Sequence, residues 1–117
     1  MPLRLKMIHD QLSEVIDTYK PAEMAVEELF FFRNHTTIIP VAQARGVILY
    51  TGAAKGVHVF GYTPLQVKAA VTGYGRAEKK QVQFMVTKIL KLKQTPKPDD
   101  VADAIAIAIC HLNTKRI

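Results

Sequence analysis

A chain of 117 residues, 49% of them apolar and none in a low-complexity tract, can build an ordered core, which excludes a linker or disordered tail. The lone cysteine, Cys110, excludes an internal disulfide, no apolar run reaches membrane-spanning length, and no signal-peptide core stands at the N-terminus. A single domain, 1–117, in the cytoplasm and without a membrane partner is therefore expected. The net charge of +6 is confined: residues 68–97 hold eight basic residues (Lys68, Arg76, Lys79, Lys80, Lys88, Lys91, Lys93, Lys97) and one acid, Glu78, against eight basic residues and nine acids elsewhere, or +7 against −1. Such a patch on a near-neutral body favours a polyanion such as nucleic acid, the plainer alternative being a solvated lysine face.

In chain order, Leu5, Ile8, Leu12, Val15 and Ile16 recur at helical spacing and predict an amphipathic helix over 3–19, stopped before Pro21. Residues 22–27 form a short strand that ends in Glu27 and Glu28, at the sheet end where α/β folds build sites. Phe30, Phe31 and Phe32 follow; they cannot all face one core from a loop, so at least one meets solvent or a partner. Cap residues at 34–37 open a long helix over 37–54, with Pro40 in its first turn and a small-residue run at 41–49 suited to close packing on a helix or a second subunit. Val57-His58-Val59-Phe60 alternates as a second strand, so strand, helix and strand make a parallel βαβ unit.

Thr63-Pro64-Leu65-Gln66 is a helix start, with a Thr cap, a first-turn Pro and a Gln three residues on; that helix runs to 71. Gly73-Tyr74-Gly75 is a turn and not a phosphate loop, since no strand precedes it and no Gly-Lys-Ser/Thr follows. A helix over 77–92 is expected to bury Val82, Met85, Val86, Ile89 and Leu90. After two prolines comes Asp99-Asp100-Val101-Ala102-Asp103, the head of an otherwise Ala/Ile helix that runs on towards Cys110, itself expected in the core. Asp99 can cap this helix, and Asp100 and Asp103, three apart, share a face. They either favour the dipole and stay solvated, or, if turned inward, hold a divalent cation. His111, two turns after Asp103, either stands above the acids or closes the helix.

There is no Gly-x-Ser-x-Gly elbow, no cysteine pair and no His-x-x-x-His zinc pair. What remains is a strand-end Glu, two helix acids and a basic surface. That hard-oxygen set suits Mg²⁺ or Mn²⁺, and with DNA it suggests two-metal phosphodiester hydrolysis. A small phosphatase on the same carboxylates would leave the thirty-residue basic stretch without a reason.

Several ordered pieces are more specific than any one of these. They are Arg4-Leu5 with Ile8; Ala25-Val26-Glu27 with Phe30 and Asn34; Gln43-Ala44-Arg45-Gly46-Val47; Gln66-Val67-Lys68; Gly73-Tyr74-Gly75-Arg76-Ala77-Glu78-Lys79; Gln81-Val82; Leu90-Lys91-Leu92; and Asp100-Val101-Ala102-Asp103-Ala104-Ile105-Ala106-Ile107-Ala108. Over essentially its whole length the chain resembles the RuvC Holliday-junction resolvases. The resemblance implies an RNase H-like α/β fold and a homodimer that nicks four-way DNA junctions symmetrically with Mg²⁺ (or Mn²⁺), two ions to a complete site. It implies that Glu27, Asp100 and Asp103 are the catalytic, metal-holding carboxylates, that Phe30 stacks on bases, and that Lys68 and Lys79 lie near the scissile phosphate. Arg76 and Lys80 join them on the basic DNA-binding surface, residues 43–49 match the dimer-forming helix, and the RuvA and RuvB branch-migration proteins are the partners. One departure is plain: the family's opening strand with Gly-Ile-Asp-Pro-Gly, whose Asp is a further ligand, has no counterpart, and Asp10 and Asp17, both on a helix, cannot replace it. The expectation is a fold without its first three strands, an open strand edge and impaired cleavage, the alternative being a non-catalytic dimeric DNA-binding module.

Overall fold

A computed structural model describes residues 1–28 and 35–114, the side chains of 35–37 excepted. The order is α1 (Pro2–Tyr19), β1 (Glu23–Glu27), α2 (His35–Ala54), β2 (His58–Tyr62), α3 (Pro64–Thr72), α4 (Lys79–Ile89) and α5 (Asp99–Thr114). Every expected element is present. The expectation for Phe30, Phe31 and Phe32 lies outside the described residues. Among those residues no helix is long and apolar enough to cross a membrane.

The two strands pair with each other. The His58 amide donates to the Ala22 carbonyl (3.1 Å) and the Glu28 amide to the Tyr62 carbonyl (2.8 Å). Residue numbers rise together along both strands, so the pair is parallel and α2 is its crossover, as the βαβ pattern required. The chain divides into two compact units, and both strands run from the first into the second.

The first unit comprises residues 1–24 and the described part of 29–60, with α1 packed on α2. Ile16 and Thr51 are buried there. The single hydroxyl hydrogen of Thr51 goes to the Val47 carbonyl (2.7 Å), so its oxygen accepts from His9 Nδ1 (2.8 Å), which fixes the proton on that nitrogen. Pro40 stands sixth in α2 rather than in its first turn, because the helix begins two residues earlier than the cap residues suggested.

The second unit comprises residues 25–28 and the chain from Gly61 onward. Its core is Tyr62, Val67, Val71, Val82, Val86, Ala106 and Cys110, so Cys110 is a core residue as expected. Helix α3 starts as the sequence predicts: Gln66 N donates to Thr63 Oγ1 (3.1 Å) and Thr63 N to Gln66 Oε1 (2.8 Å). Helix α4 is shorter than expected at both ends. Glu78 precedes its first turn, donating its amide to Gln81 Oε1 (2.7 Å). At the other end Leu92 N donates to Thr87 O and Lys91 N to Lys88 O, with Lys91 at φ 55°, the paired bonds of a Schellman stop. Val82 and Val86 take the inward face of α4, and Ile89 and Leu90, which flank that face in the last turn, are exposed instead of buried.

Two glycines of α2 test this packing in opposite senses. A Cβ on Gly52 would lie 2.7 Å from Val59 Cγ2 and 2.9 Å from Met24 Cε, whereas one on Gly46 meets nothing within 4 Å. Gly46→Ala is expected to stabilise the chain by about 0.5–1 kcal/mol through helix propensity. Gly52→Ala is expected to destabilise it by about 1–3 kcal/mol through overpacking. Urea denaturation of the two variants checks the sign of each.

Candidate active site

The second unit brings a strand end and three helices around one cleft of about 230 Å³, lined by Glu27, Pro64, Val67, Lys68, Lys79, Val82, Asp103, Ala106 and Ile107. Glu27 arrives on the last residue of β1. Strand alternation sends Glu28 to the other side, where its side chain lies over Gly61 at a distance a Cβ there would violate (2.8 Å to Oε1). Pro64, Val67 and Lys68 come from the first turns of α3, which the Thr63–Gln66 capping box sets directly after β2. Lys79 opens α4.

Asp103 comes from α5, on the flank of a stripe of small residues. Ala102, Ala106 and Cys110, one turn apart, are 0–1% exposed. Such an inward face lets α5 lie close to α3 and α4, both of which it contacts. Asp103 and Ile107 follow that stripe by one residue each and so face the cleft edge, with Asp103 half-buried.

The electrostatics follow from this convergence. Burial pushes the Glu27 carboxyl above the usual range, the Asp103 carboxylate pushes it further the same way, and Lys68 pulls it back. The residue as a whole keeps solvent contact. Lys79 also makes a 3.4 Å ion pair with Asp99, both side chains more than half exposed. Water and salt screen such a pair, and it leaves Lys79 able to turn into the cleft.

The structure thus brings together Glu27, Asp103, Lys68 and Lys79. Asp100 is exposed, one turn before Asp103, and does not line the cleft. Among the described residues no group of three His, Cys, Asp or Glu side chains is gathered closely enough to hold a metal ion. Asp99 stands inside the first turn of α5 and pairs with Lys79, where the sequence suggested a cap. His111 does not stand over the acids: it is buried and shares a 2.5 Å hydrogen bond with the Tyr62 hydroxyl. Arg76 and Lys80 are exposed and outside the cleft, and Phe30 lies beyond the described residues. The apolar walls Val67, Val82, Ala106 and Ile107 were legible only as core positions, because nothing in their spacing marks a cleft.

The sequence model described as "Crossover junction endodeoxyribonuclease RuvC" matches residues 1–111. The chain belongs to the RuvC family. A RuvC protein of that description from Syntrophomonas wolfei is 62% identical over 117 residues, covering all of this chain and 68% of the relative. One from Fusobacterium nucleatum is 54% identical over 111 residues, covering 95% of this chain and 58% of the relative. Two solved structures, "Thermus thermophilus RuvC structure" and "T. thermophilus RuvC in complex with Holliday junction substrate", are each 42% identical and superpose with TM-scores of 0.89 and 0.90. Each superposition covers 97% of this chain and 68% of the solved one. The fold is therefore RNase H-like, of the RuvC type, and the chain spans about two thirds of the length of most of these relatives.

The raised Glu27 carboxyl makes a signed prediction. A group that binds its proton more tightly in the native state adds stability below its ordinary pKa, here 4.5, and loses that contribution as pH rises through the native value. In metal-free buffer Glu27→Gln should therefore raise the melting temperature at pH 7, and the gain should vanish below about pH 4.5. Thermal melts of the two proteins across pH give the comparison. A gain of equal size at pH 3 would mean that the effect is not ionisation.

Proposed function

We propose that this chain acts on four-way DNA junctions, nicking them symmetrically as a homodimer in recombination and repair. Glu27, Asp100 and Asp103 hold divalent cations, Mg²⁺ foremost with Mn²⁺ able to replace it, two ions to a complete site. The observation that carries the reading is the meeting of Glu27 and Asp103 in a cleft that also holds Lys68 and Lys79. A carboxylate whose proton affinity is raised by burial and by a second carboxylate fits a hard divalent cation, which would relieve the repulsion. Bound there, such ions supply an activated water and charge stabilisation of the departing 3′ oxygen. Asp100, exposed one turn before Asp103, would be the third carboxylate of the set.

The chain's own residues do the rest. The Lys68 and Lys79 ammoniums hold the scissile phosphate against the carboxylates and offset charge that builds on its oxygens. Arg76 and Lys80 hold the flanking backbone, and Phe30 stacks on a base at the opened crossover. Residues 43–49 form the dimer helix. RuvA and RuvB, the branch-migration proteins, deliver the junction in the cytoplasm.

A second reading has one observation in its favour. Of the three carboxylates, two line the cleft, as in a non-catalytic dimeric DNA-binding module of RNase H-like fold. On this reading the 117-residue polypeptide binds junctions better than it cuts them.

A junction-cleavage assay with Mg²⁺ separates the two. Under the first reading Glu27→Gln lowers cleavage by at least about 100-fold and leaves junction binding intact. Wild-type chain that binds without cutting supports the second. Under both, Lys79→Ala weakens binding more at low salt and reduces the salt slope by about 1. An unchanged slope would remove Lys79 from the DNA surface.

A further inference from the structure

Helix α4 faces two clefts with adjacent residues. Lys79 lines the carboxylate cleft, and Lys80 lines a separate one of about 330 Å³ with Thr72, Gln81, Phe84 and Met85. Phe84 is 57% exposed, and the Lys88 ammonium sits over its ring, 5.5 Å from the centroid. Lys80, Phe84 and Lys88 are spaced by four, so they form one stripe along the helix, within the segment that carries the chain's excess positive charge.

A single exposed Phe on a helix is ordinary. A Phe with an ammonium one turn before it and another over its ring is a poor docking point for an apolar protein surface, which would have to strip water from both charges. A DNA strand with an unpaired base is the complementary occupant: the base offers a π-face to the ring, and its phosphates take the two ammoniums. Ring faces carry negative potential, so Lys88 covers one face and holds the ring in place, leaving the other face for the base.

We propose that Phe84, flanked by Lys80 and Lys88, is a stacking platform for an unpaired DNA base, a second DNA subsite on α4 beside the carboxylate cleft. It rests on the reading of the basic surface as DNA-binding. Because Lys79 and Lys80 are consecutive, a strand held at the carboxylate cleft passes over the first turn of α4 to reach it. The platform extends the footprint beyond the cut site and favours substrates with unstacked nucleotides over continuous duplex.

The chain contains no tryptophan, so Phe84→Trp places a lone indole reporter at the proposed contact. The variant is titrated with a short oligothymidylate and with a blunt duplex of equal length, following indole fluorescence and the anisotropy of labelled DNA. Oligothymidylate is expected to quench the indole saturably, with the midpoint seen by anisotropy, and the duplex to quench it little. In the native background Phe84→Ala, and Phe84→Leu, which keeps apolar bulk without the π-face, are expected to weaken oligothymidylate binding by roughly 5- to 150-fold. Both should change duplex binding less than about twofold, since backbone contacts carry that binding. Oligothymidylate binding with an unmoved indole and native-like affinity in both truncations overturns the platform and leaves the DNA reading standing. No binding of either DNA overturns the DNA reading and the platform with it.

Discussion

Helix α5 can bring Asp103 beside Glu27 because its inward face is alanine and cysteine. Ala102, Ala106 and Cys110 occupy one side of the helix with almost no exposed surface, and no larger side chain at those positions would fit without moving the helix outward. Close approach fixes the helix over α3 and α4, which have the valines Val67, Val71, Val82 and Val86 at the contact. The Tyr62–His111 hydrogen bond ties the far end of the same helix to the end of β2, the strand paired with the one that bears Glu27. The acids at the helix head thus inherit their place from apolar packing two turns away.

Charge in this unit runs against stability. Folding buries part of the Glu27 carboxyl and sets it in the field of the Asp103 carboxylate, and both raise its proton affinity above that of the unfolded chain. Lys68 offsets part of the repulsion. Two carboxylates set in each other's field cost stability, and such an arrangement is more frequent at functional sites than elsewhere. Lys68 and Lys79 line the same cleft. A cleft that holds both carboxylates and ammoniums is chemically suited to a cation and a phosphate together.

Much of this was legible in the sequence for physical reasons that local patterns carry. The Thr63–Gln66 capping box, the alternation before Tyr62 and the helical spacing in α1 each depend on near neighbours, and each element formed where its pattern lay. The end of α4 was not legible, because a Schellman stop with a lysine at positive φ has no glycine to announce it. The site divides in the same way. Glu27, Asp103, Lys68 and Lys79 were named from motifs and meet in the cleft. That Asp100 would stay outside, that Asp99 would pair with Lys79, and that His111 would turn to Tyr62 depend on side-chain placement across helices, which spacing along one helix does not determine.

The proposal that Glu27 and Asp103 share a divalent cation is open to direct measurement. The direct measurement is an NMR titration of the chain with substoichiometric Mn²⁺, whose unpaired electrons broaden the signals of nearby residues. The amides around Glu27 and Asp103 are expected to broaden first, excess Mg²⁺ to restore them, and Glu27→Gln to remove the effect. Broadening centred on other acids, such as Asp10 or Asp17 of α1, or none at all at the cleft, would contradict the proposal.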